Sequence, residues 1–187
     1  MVTEYYSYIL PTTITLLNTI ITPTTSTPSD STIKAYTSLL RSLSTTFSTD
    51  DREFWTSPMN FAQISAPVLS QLSVAHKHAA LPPLIINAIV ELACTCTGSD
   101  EQLKAIHSVV LKSMRSEVAE VRMAAVKTEM EFYRRLGEEW LGMLPETVPY
   151  IAELLEDDEE DIERETQRLI KLVEEYLGEG ELEAMLT

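Results

Sequence analysis

The sequence contains few of the residues that divide a chain into strands and tight turns. It has only five glycines, and its nine prolines are spread along the chain. Leu, Ala, Glu and Thr are abundant instead, and this balance is typical of helices joined by short breaks. With 187 residues, 44% of them hydrophobic, the chain is long enough to bury a sizeable core. We therefore expect an all-α protein without a β-sheet.

Basic residues are also scarce. The chain carries 14 Lys and Arg against 29 Asp and Glu, a formal net charge of −15. The acidic excess is concentrated after residue 100, where 22 acidic and 10 basic residues lie. Because nonspecific binding to nucleic acid needs clustered cations at the phosphates, this balance argues against strong direct RNA binding. Any nucleic acid nearby would be held by other subunits.

Cysteine and long apolar runs are nearly absent. Cys94 and Cys96 are the only cysteines and lie two positions apart, so no disulfide framework can form and a reducing compartment, nuclear or cytosolic, is expected. The first ten residues carry Glu4 and no basic stretch, and no apolar run approaches the ~20 residues of a membrane span. We expect neither a secretory signal nor a membrane anchor.

Apolar residues recur at helical spacing in about eight segments. Ser29 caps one predicted helix, Pro67 should kink or split another, and Ser99 with Gln102 has the spacing of a capping box. Gly137 is expected to end the longest central helix. The predicted helices lie around 14–21, 30–48, 61–72, 82–97, 100–114, 118–136, 145–155 and 162–177, with a loop at 22–28.

Each predicted helix has one apolar stripe that only a neighbouring helix can cover, which is the organisation of a stacked repeat protein. The distance from Val121 to Ile162 is 41 residues, within the range of about 40–47 residues for two-helix HEAT and armadillo repeats. We predict a single helical-repeat module over 1–187. Residues 1–98 form Ser/Thr-rich, Pro-interrupted helices, and residues 99–187 form two HEAT-like hairpins.

Two stretches resemble known repeat proteins. Glu120-Val121-Arg122-Met123-Ala124-Ala125 resembles the opening of the second helix of a HEAT repeat, in which the acid favours the helix amino end and the arginine reaches toward the neighbouring turn. Asp161-Ile162-Glu163, with Arg164 one position late, matches that pattern less closely.

The run from Leu136 through Trp140, Leu144-Pro145 and Tyr150 to Asp161, followed by Leu177-Gly178-Glu179, resembles the carboxyl end of the large HEAT-repeat protein of the nucleolar small-subunit processome, the Utp ten family. The resemblance covers residues 117–180. It implies that the chain is the C-terminal fragment of a longer solenoid in the UtpA subcomplex. The implied partners are other processome proteins, with pre-ribosomal RNA and the U-three small nucleolar RNP engaged through the assembly. The implied location is the nucleolus.

Metal and redox sites find little support. His76 and His78 lie two positions apart, on different faces of a helix, and no Cys or carboxylate set completes four ligands with them or with His107. Cys94 and Cys96 have the same spacing and are expected to be small buried hydrophobes.

Catalytic motifs are equally weak. Glu138-Glu139 and Glu174-Glu175 lack a neighbouring nucleophile, and no Gly-rich phosphate loop or Gly-x-Ser-x-Gly elbow occurs. We expect no catalytic residues, no cofactor site, no metal site and no enzyme activity.

Three other features each have two interpretations. The acidic run at 156–161 is a solvated turn that also favours the next helix, or a docking site for a basic partner. Arg134-Arg135 complement a helix carboxyl end, or contact RNA phosphate. Trp140 is a core plug between hairpins, or an anchor for a partner helix.

The expected function is non-catalytic scaffolding in nucleolar ribosome assembly, with no membrane or small-molecule partner. The alternative is a transport or phosphatase-type HEAT adaptor that binds basic linear peptides through an acidic surface.

Overall fold

The computed structural model describes residues 3–21, 29–50, 53–178 and 180–186, and these residues contain helices but no strand. The predicted loop at 22–28 lies outside the described residues. The α-helices are α1 (Thr3–Ile21), α2 (Asp30–Ser48), α3 (Pro58–Leu69), α4 (Leu81–Thr95), α5 (Asp100–Met114), α6 (Ala119–Leu136), α7 (Leu144–Leu154), α8 (Glu160–Leu177) and α9 (Glu181–Leu186). Two 3₁₀-helices follow α3 and α6, at Ser70–Lys77 and Gly137–Met143.

The helices form a two-layer stack of hairpins. The even-numbered helices pack in order, α2 on α4, α4 on α6 and α6 on α8. The odd-numbered helices form the second layer in the same order, from α1 to α9. A core cluster runs from Leu10 in α1 to Leu182 in α9. The chain therefore has the predicted all-α, HEAT-like architecture of about eight main helices, with the short α9 in addition.

The Ser/Thr-rich stretch at 30–48 forms the predicted helix. Ser29 Oγ accepts a hydrogen bond from the Thr32 backbone N–H, which caps the first turn. Hydroxyls within the helix donate to the carbonyl four residues back, for example Ser44 to Leu40. Meanwhile apolar side chains such as Phe47 face the core. The apolar stripe, rather than the composition, decides the conformation.

The first helix is longer than predicted. The apolar spacing predicts a short helix around 14–21, but α1 begins at Thr3 and continues through Pro11. Leu10 and Leu17 are both buried and lie two helical turns apart, so they place one stripe against the core on both sides of the proline.

Pro67 interrupts the third helix as predicted. The α-helix ends at Leu69, and the chain continues as a 3₁₀-helix to Lys77. A proline lacks the backbone N–H and its ring clashes with the carbonyl four residues earlier. The 3₁₀ segment still buries Leu72 and Val74 and packs against α4 and α6.

The predicted capping box is only half formed. Ser99 Oγ accepts from the Gln102 backbone N–H at 3.4 Å, as expected. The Gln102 side chain does not return to Ser99 but donates to the Thr56 carbonyl at 2.6 Å, in the turn just before α3. This side chain therefore joins two hairpins instead of closing one helix end.

Glycine ends the two long helices of the second half. Gly137 follows α6 with φ of 58°, and Gly178 follows α8 with φ of 116°. A side chain is strained at these angles, so the two positions favour glycine. Among the described residues, no helix combines the length and apolarity needed to cross a membrane.

Candidate functional site

The histidines do not come together. His107 lies in α5 and is fully buried, whereas His76 and His78 are exposed at the end of the first 3₁₀-helix. Within the described ranges, no group of three His, Cys, Asp or Glu side chains is arranged to hold a metal ion.

The cysteines lie at the carboxyl end of α4. Cys96 is fully buried, as predicted, and burial together with the nearby Asp50 carboxylate raises the pKa of its thiol to about 12. Cys94 is only half-buried, and partial desolvation raises its pKa as well. Both thiols are therefore poor nucleophiles at neutral pH.

The acidic run at 156–161 is not uniformly solvated. Most of its side chains are exposed, as predicted, but the Asp157 side chain is only 6% exposed. Its two oxygens accept hydrogen bonds from the Arg122 guanidinium at 2.7 and 2.8 Å. These bonds hold the pKa of Asp157 below its usual range. The interpretation as a solvated turn was wrong for this residue because the half-buried Arg122 lies opposite it.

Arg122 joins three parts of the chain. Besides Asp157, which precedes α8, it donates to the Ser116 carbonyl at 2.9 Å in the turn before α6. The predicted reach of this arginine toward the neighbouring turn is confirmed. In the next hairpin, Arg164 pairs instead with Asp161 of its own helix at 2.9 Å, and both side chains are exposed. The weaker match of that segment to the repeat pattern therefore has a structural counterpart.

Two more arginines link neighbouring hairpins. Arg135 donates to both carboxylate oxygens of Glu91 in α4, at 2.9 and 3.3 Å. Its main partner is therefore this carboxylate, and complementing the carboxyl end of α6 is secondary. Arg115 donates to both carboxylate oxygens of Glu153 in α7. Its guanidinium carbon lies 4.1 Å from the centre of the Tyr150 ring. Arg134, by contrast, pairs with Glu131 of its own helix.

A buried polar cluster of His107, Glu129, Trp140 and Thr147 lies where α5, α6, α7 and the second 3₁₀-helix meet. All four residues are fully buried. Trp140 Nε1 donates to Glu129 Oε1 at 2.8 Å. The Thr147 hydroxyl lies 3.3 Å from the same oxygen and 3.2 Å from the Met143 carbonyl, and these two acceptors share its one proton. His107 Nε2 lies 3.0 Å from Thr147 Oγ1 and 3.5 Å from Glu129 Oε1. The neighbouring Tyr133 is also buried, and desolvation, followed by the Glu129 charge, raises its pKa.

The role predicted for Trp140 as a core plug is confirmed. Its ring centre lies 4.3 Å from that of Phe132 and 5.2 Å from that of His107. The sequence interpretation missed Glu129 and Thr147, although a signal was present. Glu129 follows Val121 and Ala125 at four-residue steps and so falls within the apolar stripe of α6.

The glutamate pairs differ from each other. Glu138 and Glu139 are exposed, as is Glu175. Glu174, however, accepts a hydrogen bond from the Gly180 backbone N–H at 3.1 Å and thereby stabilises the turn between α8 and α9.

No protein-family model matches the chain. Individual relatives match it along its length, and the three described below bear the name U3 small nucleolar RNA-associated protein 10. The Coccidioides immitis protein is 40% identical over an alignment of 199 positions that covers 100% of this chain and 10% of the relative. The Neurospora crassa protein is 40% identical over 181 positions, 96% of this chain and 10% of the relative.

The Schizosaccharomyces pombe protein is 34% identical over 186 positions, 97% of this chain and 10% of the relative. The chain thus spans about one tenth of the length of these relatives. The two-layer helical stack and the agreement along its length together show that the chain belongs to the family of U3 small nucleolar RNA-associated protein 10.

Proposed function

We propose that this chain is a non-catalytic scaffold segment that works in nucleolar ribosome biogenesis, in assembly of the small-subunit processome and processing of pre-ribosomal RNA. The supporting observation is the 34–41% identity to proteins named for association with the U3 small nucleolar RNA. A stack of hairpins acts through shape and surface, because it offers long exposed helix faces and no enclosed catalytic pocket is needed.

In this proposal the chain is one module, residues 1–187, at the C-terminal end of a longer solenoid in the nucleolus. Its direct partners are protein subunits of the processome, including those of the UtpA subcomplex. RNA is engaged through the assembly, because a chain with a net charge of −15 repels phosphate. The acidic second half is therefore the part expected to contact proteins.

The proposal is tested by capture of the tagged chain from nuclear extract, with U3 RNA and one unrelated small nucleolar RNA quantified in parallel. We expect enrichment of U3 RNA over the unrelated RNA. We also expect processome proteins to remain after ribonuclease treatment, because the contacts are made by protein. Repeating the capture at high salt reports how much of the binding depends on the acidic surface.

Recovery of transport factors or phosphatase subunits without U3 RNA would refute the nucleolar assignment and favour the adaptor alternative. Loss of every processome protein after ribonuclease treatment would refute the protein-scaffold role, because RNA would then be the bridge.

A further inference from the structure

An apolar groove lies at the amino ends of α6 and α8 and has a volume of about 380 Å³. Ala124 and Ile162, which are buried, and Pro82, Ala119 and Met123, which are half-buried, provide its apolar lining. This volume is within the range of about 300–1,000 Å³ that is typical of binding clefts. The small side chains of the two alanines leave the apolar surface open.

The edge of this α6/α8 groove is acidic. The exposed side chains of Glu120, Glu159 and Asp161 line it, together with the single cation Lys127. Arg164 already pairs with Asp161, and the amino ends of the two helices contribute about half a positive charge each, so these lining groups together are close to neutral. Asp158 and Glu160, exposed on the same turn, provide the negative excess beside the groove.

A second groove continues along the same helix layer. It lies between α4 and α6, has a volume of about 400 Å³ and shares Lys127 with the α6/α8 groove. Its arginines already have acidic partners, because Arg134 pairs with Glu131 and Arg135 with Glu91. The basic and acidic side chains of this second groove therefore largely neutralise each other. Excess negative charge lies beside apolar surface mainly at the α6/α8 groove.

We propose that the α6/α8 groove docks an extended basic segment of a partner protein. One aliphatic side chain of the partner packs on Ala124 and Ile162, and flanking Lys or Arg side chains pair with Glu120 and Glu159. Charge complementarity selects a basic protein segment over RNA, because phosphates would face the same carboxylates. The inference rests on the proposed role as a protein-binding scaffold and gives that role a contact surface.

The test uses the purified chain and synthetic peptides labelled for fluorescence anisotropy. The first peptide carries Leu flanked by Lys and Arg; in the second Ser replaces Leu, and in the third Glu replaces the basic residues. A single-stranded RNA of equal length is the fourth probe. We expect the first peptide to bind roughly tenfold more tightly than the Ser peptide, because burial of the leucine is lost. We expect no measurable binding of the Glu peptide or the RNA.

Variants locate the binding on the chain. Glu120→Gln combined with Glu159→Gln should weaken binding of the first peptide roughly five- to tenfold. Glu138→Gln combined with Glu175→Gln removes the same number of exposed charges elsewhere and should leave binding unchanged. Lys127→Glu, at an exposed position, should strengthen binding, and this gain cannot result from misfolding.

The α6/α8 groove would be ruled out as the docking site if the two double variants weakened binding equally, or if the Leu and Ser peptides bound with equal affinity. Either result would leave only nonspecific charge attraction. Tighter binding of the RNA would overturn the choice of partner. Because the assay uses only purified components, its failure is distinguishable from failure to recover U3 RNA in the capture experiment.

Discussion

At the scale of single residues, the buried polar cluster is the least ordinary part of the structure. Glu129 is fully buried in a junction of apolar helices, and its Oε1 atom accepts a hydrogen bond from Trp140 and a longer one from the Thr147 hydroxyl, which the Met143 carbonyl shares. An unpaired carboxylate would be costly there, because burial removes its hydration. Trp140 and Thr147 replace that hydration at Oε1 only, since Oε2 is buried without a hydrogen-bond partner, and they connect α6, α7 and the 3₁₀-helix between them.

We expect Glu129→Ala to lower the free energy of unfolding by about 3 kcal/mol, because it leaves the Trp140 N–H without its acceptor and opens a cavity. Glu129→Gln keeps an acceptor oxygen and should cost clearly less. Urea denaturation followed by tryptophan fluorescence measures both values. An equal loss in the two variants would show that the hydrogen bond to Trp140 does not determine the stability of this junction.

At the scale of helices and hairpins, the Arg122–Asp157 pair is the main polar link between the α5/α6 hairpin and the α7/α8 hairpin. The side chains are only 15% and 6% exposed, so solvent screens the pair weakly. Arg115 and Glu153 link the same hairpins on the outside, but both side chains are 51% exposed. The first pair should therefore contribute more to stability than the second.

We expect Asp157→Asn to lower the free energy of unfolding by about 2 kcal/mol at neutral pH, because two charge-assisted hydrogen bonds are weakened. The control, Glu153→Gln, should cost less than about 1 kcal/mol because its pair is exposed. Denaturant titration of both variants against the wild type measures this difference. A larger loss for Glu153→Gln would contradict the ranking by burial.

The same pair predicts a pH dependence. Asp157 has a lowered pKa in the folded state, so its stabilisation is present above the aspartate pKa of the unfolded chain, about 3.9, and is lost as pH falls through the folded value. The difference in the free energy of unfolding between the wild type and Asp157→Asn should thus be constant from pH 7 to about 5 and should decrease as the pH falls below about 4. Denaturant titrations of both proteins at a series of pH values measure this difference in the free energy of unfolding. A difference that stays constant down to pH 3 would show that the carboxylate charge is not responsible.

The sequence predicts most helices and fewer of the links between them. Some signals act within a single helix, such as the Ser29 cap and apolar spacing of α2 and the Gly137 stop of α6. Their effect can be predicted from neighbouring residues in the sequence. The partners of Asp157 and Gln102 lie 35 and 46 residues away, and only the stacked fold brings them close. Glu129 was missed for a related reason, since a carboxylate in an apolar stripe is favourable only when a distant donor meets it.

At the scale of the whole molecule, charge is the dominant feature. A net charge of −15 on 187 residues, with most of the excess after residue 100, places many carboxylates near one another on the second half of the stack. Such self-repulsion destabilises a compact state and is screened by salt. The nearly buried Arg122–Asp157 pair is screened much less.

We therefore expect the thermal midpoint to rise by about 3 °C between ~0.01 and ~0.15 M sodium chloride, as repulsion is screened more than the inter-hairpin pairs. Differential scanning calorimetry measures this change. Asp158→Asn combined with Glu160→Gln, which removes two exposed charges, should reduce the salt effect. A midpoint that falls with added salt would mean that ion pairs outweigh repulsion.

The alternating layers also bear on how the chain is made. The packing pairs join each hairpin to the next one along the chain, α2 to α4, α4 to α6 and α6 to α8. A hairpin can thus find its neighbour while later residues are still being synthesised, because no closing contact with a distant terminus is required. A chain of this kind can fold progressively as it leaves the ribosome, and each new hairpin shields the apolar face of the one before it.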